Sequence, residues 1–439
     1  MKMWIAISTF FLTSAVSYGQ AVPTAVASSN GVGPGQSWID GTVHYALSAS
    51  ESVQVGYYGS GNVTESTNLT GNVGYVSTSK NLPFSMVYAG GVLFGNQSGQ
   101  GTTTYQNVAA SQGLVKGRWI FGVSDSFSYL PQSPTTGWSG IAGTGDLGSQ
   151  PISGPAQGPA GGVLTVSGNR ISNALSGNVE RRLTGATSVS GSGNWTVLHF
   201  LDSNSGLDTT QTSGQVALNH RIDARSSISG NAVYSVYDTP GNNFLNLQGN
   251  VSFQTKGLNL QYTRRWTRAL SMNASAGPQW ISSSGGSVIP SRLNLAADIG
   301  FTYTRKSTNT SIHYGRGVNG GSGVQAGALS DSIMGSIGRP LGRNWMGAVT
   351  GSYVRTSGLL ATTPTSGTVP VSTNGATQTF FGGAQLTRGF GRAWSGFLSY
   401  SVQDQSINAS VGQNAFSGFS QTFGIGITFA PKSTRLGEF

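Results

Sequence analysis

The sequence predicts an all-β chain: a transmembrane, antiparallel, up-and-down β-barrel of about 18 strands. Three observations predict it. Apolar and polar residues alternate with a period of two almost from end to end, as in Leu258, Leu260 and Tyr262 against Asn259, Gln261 and Thr263, the pattern of strands with one apolar face. Charged residues are only 9 % of the 439 while aromatics reach 10 %, which leaves too few charges to cover a soluble surface and too many aromatics for disorder. Short turns alternate with long polar connections, the asymmetry of a membrane barrel.

Basic residues mark the short turns. They occur at Lys80, Lys116/Arg118, Arg181/Arg182, Arg221/Arg225, Arg264/Arg265/Arg268, Arg305/Lys306, Arg339/Arg343 and Arg388/Arg392. Eight such turns separate nine strand pairs, which gives 18 strands. The stretch 243–266 fits either one strand after a loop or two strands, so 16 and 20 remain open. Strand placement runs from 41–58 through 417–430, and the barrel is expected over 38–430.

The opposite parity explains why such a wall closes. An open sheet in hydrocarbon leaves backbone groups unpaired at several kcal/mol each, whereas a closed one has no edge. Outside, the wall then needs apolar side chains such as Ile299, Phe301 and Tyr303, and inside, small or polar ones such as Asp298, Gly300 and Thr302. Trp119, Trp195, Trp266, Trp280, Trp345 and Trp394 fall near strand ends, where aromatic rings form interfacial girdles. Asp125 shares parity with Phe121, Val123 and Phe127 and is expected to face outward at a cost.

Outside the barrel, residues 1–21 have a Lys2 start, an apolar run over 3–16 and small residues at Gly19 and Ala21, the pattern of a secretory signal peptide. Residues 22–37 form a flexible lead, and 431–439 a C-terminal tail. Cysteine is absent, so stability must come from strand pairing and burial rather than disulfides, and thiolate chemistry is excluded. The 24 Lys and Arg against 14 Asp and Glu are dispersed, which disfavours a nucleic-acid partner.

Chemistry-bearing motifs are sparse. Gly143, Gly145 and Gly148 fit a dinucleotide fingerprint, but in a Pro/Gly loop with no following helix, so no cofactor is expected. Among His44, His199, His220 and His313 no pair has metal-ligand spacing; Asp40 near His44 is the only local acid–histidine pair worth naming, and a hydrogen-bonded lumen histidine is the simpler reading. No catalytic or metal site is expected.

The run Gln421–Phe429 resembles the terminal strand that Gram-negative outer-membrane barrels present to the barrel-assembly machinery: Phe423, Ile425, Ile427 and Phe429 match its alternation and aromatic end, although ten residues follow. The segments 125–134, 274–280 and 330–345 are similar to porin-like outer-membrane barrels of soil bacteria. The resemblance implies an outer-membrane location, lipids and the assembly machinery as partners, and leaves a homo-oligomer open. Residues 131–168 form the third long loop, which in porins folds inward; Pro131, Asp146, Pro151, Pro155 and Pro159 are its candidate constriction residues. Arg118, Arg182, Arg221, Arg225, Arg265, Lys306 and Arg343 are expected at the short-turn mouth, where a cation ring favours anions, though arginines there also suit anionic headgroups. The expected function is passive diffusion of small polar solutes with an anion preference. The alternatives are a non-conducting structural or adhesive barrel and a soluble extracellular β-solenoid.

Overall fold

The computed structural model describes residues 41–57, 62–77, 79, 81–95, 102–130, 169–202, 206–241, 250–283, 289–305, 308–321, 325–359, 376–407, 417–431 and 434–436. The first strands are β1 (Gly41–Tyr57), β2 (Asn62–Ser77), β3 (Phe84–Gly95), β4 (Thr103–Lys116), β5 (Trp119–Leu130) and β6 (Arg170–Arg182). Next come β7 (Thr187–Phe200), β8 (Thr209–Arg221), β9 (Ser226–Thr239), β10 (Val251–Arg265), β11 (Leu270–Ser283) and β12 (Arg292–Arg305). The last are β13 (Thr308–Asn319), β14 (Ala328–Pro340), β15 (Trp345–Gly358), β16 (Ala376–Phe390), β17 (Trp394–Ile407), β18 (Gly418–Phe429) and the short β19 (Thr434–Leu436).

Each of the first 18 strands pairs antiparallel with its sequence neighbours, and β18 pairs with β1 from Leu47↔Phe429 to Val55↔Gln421. The wall is a closed up-and-down barrel without a free edge. The eight connections at one end leave two to six residues between strands, and the eight basic clusters of the sequence fall on them or at their edges. The doubtful stretch before Trp266 resolves as the single strand β10.

Within the tail beyond 430, β19 pairs with Gly41–Val43. The reason is geometric: β18 reaches only to Leu47 along β1, and the tail supplies backbone partners for the start of β1 that would otherwise be an edge.

Four short turns share one construction. Leu183 and Thr184 both donate through their amides to the Thr187 carbonyl, Ile222 and Asp223 to Ser226, Trp266 and Thr267 to Leu270, and Leu341 donates to Trp345. In three of them a side-chain oxygen at the second position takes the next free amides: Thr184 Oγ1 accepts from Ala186 and Thr187, Asp223 Oδ1 from Arg225 and Ser226, and Thr267 Oγ1 from Ala269 and Leu270. This local satisfaction of turn amides is why Thr and Asp recur there.

The register assigns each side chain a face. Leu218, Leu260, Leu293, Ile312, Val349, Leu398 and Ile425 stand exposed on the outside, whereas Ser50, Thr70, Ser213, Thr255, Ser332 and Thr350 are buried on the inside. A protein whose apolar side chains face out and whose polar ones face in inverts the soluble economy and suits a hydrocarbon surround. Among the described residues no helix is long and apolar enough to cross a membrane; the strands are the spanning elements. Trp119, Trp266, Trp345 and Trp394 lie at the short-turn edge, and Trp195 and Trp280 toward the other, each exposed. Asp125 does face outward, in an unbroken β4–β5 register, and is tethered by Asn173 Nδ2 at 2.9 Å.

Candidate functional site

The inner wall is lined by short polar side chains, and its hydrogen bonds run across strands: Ser48 to Thr428 at 2.9 Å, Ser124 to Ser176 at 2.6 Å, and Ser311 to Ser336 at 2.8 Å. Small hydroxyls that satisfy one another keep the lining wettable without projecting far into the lumen. The lumen carries one acid cluster on β11–β13. Asp298 is nearly buried and receives His313 Nε2 at 2.5 Å and Asn273 Nδ2 at 2.9 Å. A buried carboxylate persists only when paired and hydrogen-bonded, and here two neighbouring strands supply both partners.

Toward the long-loop end the barrel departs from its own alternation. Pairing of β12 with β13 stops at Ala297↔Arg316, while β13 with β14 continues to Asn319↔Ala328. Beyond Arg316 the β13–β14 tip therefore leaves β12 and leans over the lumen. The Tyr237 hydroxyl on β9 donates to the Val318 carbonyl at 3.2 Å, and the Val318 amide donates to Gln279 Oε1 on β11 at 3.4 Å. An apolar cluster forms there from Leu207, Tyr237, Phe253, Ile281, Val318 and Leu359, with Leu329 packed against it. Tyr237 and Phe253 stack with ring centroids 4.6 Å apart.

Glycines make the tip's close approach feasible. Gly321 and Gly327 have φ of +108° and +85°, and a Cβ on Gly327 would lie 2.5 Å from the Phe253 ring. The tip is closed by the Gly327 amide on the Gly320 carbonyl and by Asn319 Nδ2 on Ser330 Oγ. Beside it on the inner wall, Arg292 Nε and Nη2, Asn294 Nδ2 and Asn259 Oδ1 are buried and have no hydrogen-bond partner among the described residues.

The basic residues expected at the mouth occupy the short-turn end, and their parity divides them. Arg182, Arg221 and Arg265 have the inward parity of their strands. Arg118 and Arg225 lie in turns or at their edge, as does Arg343. Two of these side chains stitch neighbouring turns together: Arg118 Nη1 donates to the Leu183 carbonyl at 3.4 Å, and Arg221 Nη2 to the Gly185 carbonyl at 3.1 Å. Lys306 lies outside the described residues, as do Pro131, Asp146, Pro151, Pro155 and Pro159 of the 131–168 loop, the glycines at 143, 145 and 148, and Asp40 of the Asp40–His44 pair. In the C-terminal strand Phe423, Ile425 and Ile427 are exposed on the outer wall, and Phe429 packs on Trp394 at 4.8 Å.

Sequence reasoning missed the β13–β14 tip, although residues 319–328 carry a signal in their Asn-Gly-Gly-Ser-Gly start and a further glycine at Gly327. It also missed the His313–Asp298 pair, since only β12–β13 pairing brings positions 15 apart into contact.

No family model matches the chain, and no curated protein matches it. Solved structures that align over most of the chain are from Pseudomonas aeruginosa. The OpdK structure with vanillate aligns at 12 % identity and a TM-score of 0.45, over 90 % of this chain and 99 % of that one. OprD aligns at 10 % and 0.43, over 91 % and 97 %. OccK2 (OpdF) with glucuronate aligns at 9 % and 0.44, over 91 % and 99 %.

Proposed function

We propose that the chain is an outer-membrane pore for passive diffusion of small polar solutes, narrowed on one side by the β13–β14 tip. The observation that carries this is the inverted wall: 18 strands closed on themselves with hydroxyl and amide side chains inside. Barrels of this strand number leave an aqueous lumen. No catalytic residue enters this reading, and the location rests on the signal-peptide pattern together with the apolar exterior.

An anion preference is the finer part of the proposal. Inward-parity charges on the strands are Arg170, Arg182, Arg221, Arg265 and Arg292 against Glu180 and Asp298, and Asp298 is paired with His313. A net positive lining raises local anion concentration. Planar-bilayer conductance in a salt gradient tests both parts. Ohmic conductance with an anion-directed reversal potential is expected, and cation preference would overturn the selectivity.

A second reading, a filled and non-conducting barrel, is favoured by the apolar cluster around Phe253. It predicts no conductance from the intact chain. Replacing 138–160 with a short Gly/Ser linker tests separately whether the 131–168 loop contributes a constriction.

A further inference from the structure

The short-turn edge carries a second set of cations, turned away from the lumen. Lys116, Arg181, Arg264, Arg305, Arg339 and Arg388 share register parity with outward residues such as Trp119, Met272, Tyr303, Gly347 and Trp345. The outward carboxylates Glu51, Glu65, Asp125, Asp238, Asp331 and Asp404 all lie at mid-wall or nearer the long-loop end. The outward-parity charges of the strands at this edge are therefore cationic, with Asp223 in the β8–β9 turn as a carboxylate beside Arg264, in a position that solute passing through the lumen does not meet.

Two rim arginines are seated on tryptophans. The Arg181 guanidinium lies over Trp119 and that of Arg388 over Trp345, each at 5.1 Å from the ring. In both cases the pair faces directly across neighbouring strands, Trp119↔Arg181 and Trp345↔Arg388. Stacking on an indole holds an arginine extended along the wall with its N–H fork still free at the edges, suited to bidentate contact with a phosphate.

At the second pair the wall also offers a place for a chain. A groove of about 800 Å³ runs up the outer surface from Arg339 and Leu341 past Gly347, Ala384 and Leu398 to Phe423. Gly347 and Ala384 are small residues of its lining, and Leu341 packs over Gly347, where a Cβ would lie 2.9 Å from Leu341 Cδ1. Arg339 on β14 and Arg388 on β16 flank β15, opposite Gly347 and Trp345, so their backbones are about 12 Å apart, two strand spacings across and two residues along.

We propose that this face is a seat for an anionic glycerophospholipid: the phosphate between Arg339 and Arg388 at the rim beside Trp345, one acyl chain in the groove above. The seat rests on the membrane reading of the barrel. It requires a headgroup layer at the short-turn edge with net negative charge, which a phosphatidylglycerol-containing leaflet supplies and a phosphatidylcholine one does not.

The test uses the full chain, reconstituted into nanodiscs of phosphatidylcholine with a minor share of phosphatidylglycerol. After gentle extraction, lipid carried by the folded barrel is counted by native mass spectrometry. The intact chain should retain phosphatidylglycerol over phosphatidylcholine, and Arg339→Gln/Arg388→Gln should lower that preference about thirtyfold, since each of the two cations near a surface contributes about 1 kcal/mol. Arg182→Gln/Arg265→Gln, which removes cations of inward parity, should leave it unchanged. An equal preference in the rim variant, loss in the lumen variant, a stronger preference for lipid A than for phosphatidylglycerol, or a second copy of the chain in place of lipid would each overturn the seat. Failure of the intact chain to enter nanodiscs at all would instead overturn the membrane reading. If the double variant does not fold, the single variant Arg388→Lys, which keeps charge but loses the planar stack, should retain part of the preference.

Discussion

The Tyr237 hydroxyl on β9 donates across the lumen to the backbone carbonyl of Val318 on β13 at 3.2 Å. These residues are four strands apart along the wall, so the bond exists only because the β13–β14 tip has left β12 and crossed inward. It holds the tip over the lumen at the constriction proposed above, and several expectations turn on it.

Gly327→Val should open that constriction. The new side chain would start 2.5 Å from the Phe253 ring at a φ of +85°, a conformation that a β-branched residue adopts at a cost of about 1–3 kcal/mol. Displacement of the tip should raise single-channel conductance while the barrel keeps its heat-modifiable gel mobility. Unchanged conductance would mean that the tip does not limit flow.

Asp298→Ala should destabilise the wall. It removes the acceptor for His313 and Asn273 together at a nearly buried position, and buried partners left unsatisfied cost about 1–3 kcal/mol. Urea unfolding in lipid vesicles measures it. A loss no larger than that of Ser311→Ala, which breaks only one hydroxyl pair, would count against a structural role for the cluster.

The β8–β9 turn should weaken in acid. Amide donation from Arg225 and Ser226 holds the Asp223 carboxyl below its ordinary value of 3.8. A depressed folded value means that the stabilisation is complete above the unfolded value and is lost as pH falls through the folded one. Hydrogen exchange at the Ser226 amide should stay protected above pH 3.8 and rise below it. The Thr184 and Thr267 turns, built on hydroxyls, should show no such step.

Asp125→Leu, made together with Asn173→Leu, should stabilise the barrel by about 1 kcal/mol, because an outward carboxylate at mid-wall is unfavourable in hydrocarbon. The same pair of substitutions in detergent alone should have a smaller effect. Destabilisation in bilayers would point to a polar neighbour at that face.

The sequence by itself determined the parity of the wall. Alternation of Leu258 and Leu260 with Asn259 and Gln261 decides which side chains face out, because successive residues of a strand point to opposite faces. Arginine-marked turns pointed to 18 strands, with 16 and 20 left open until β10 stood as a single strand before Trp266, and Trp119 and Trp394 indicated where one girdle lies.

Tertiary structure alone decided where that parity fails. Val318 and Leu329 carry the outward alternation of β13 and β14, yet both pack with the cluster inside the lumen, since a strand's face is defined relative to its neighbours and β13 loses β12 beyond Arg316. The pairing of His313 with Asp298, the stacking of Arg388 on Trp345 and the use of Thr434–Leu436 to complete the start of β1 are likewise set by register. Register depends on the closure of all the strands together, which no local stretch of residues encodes.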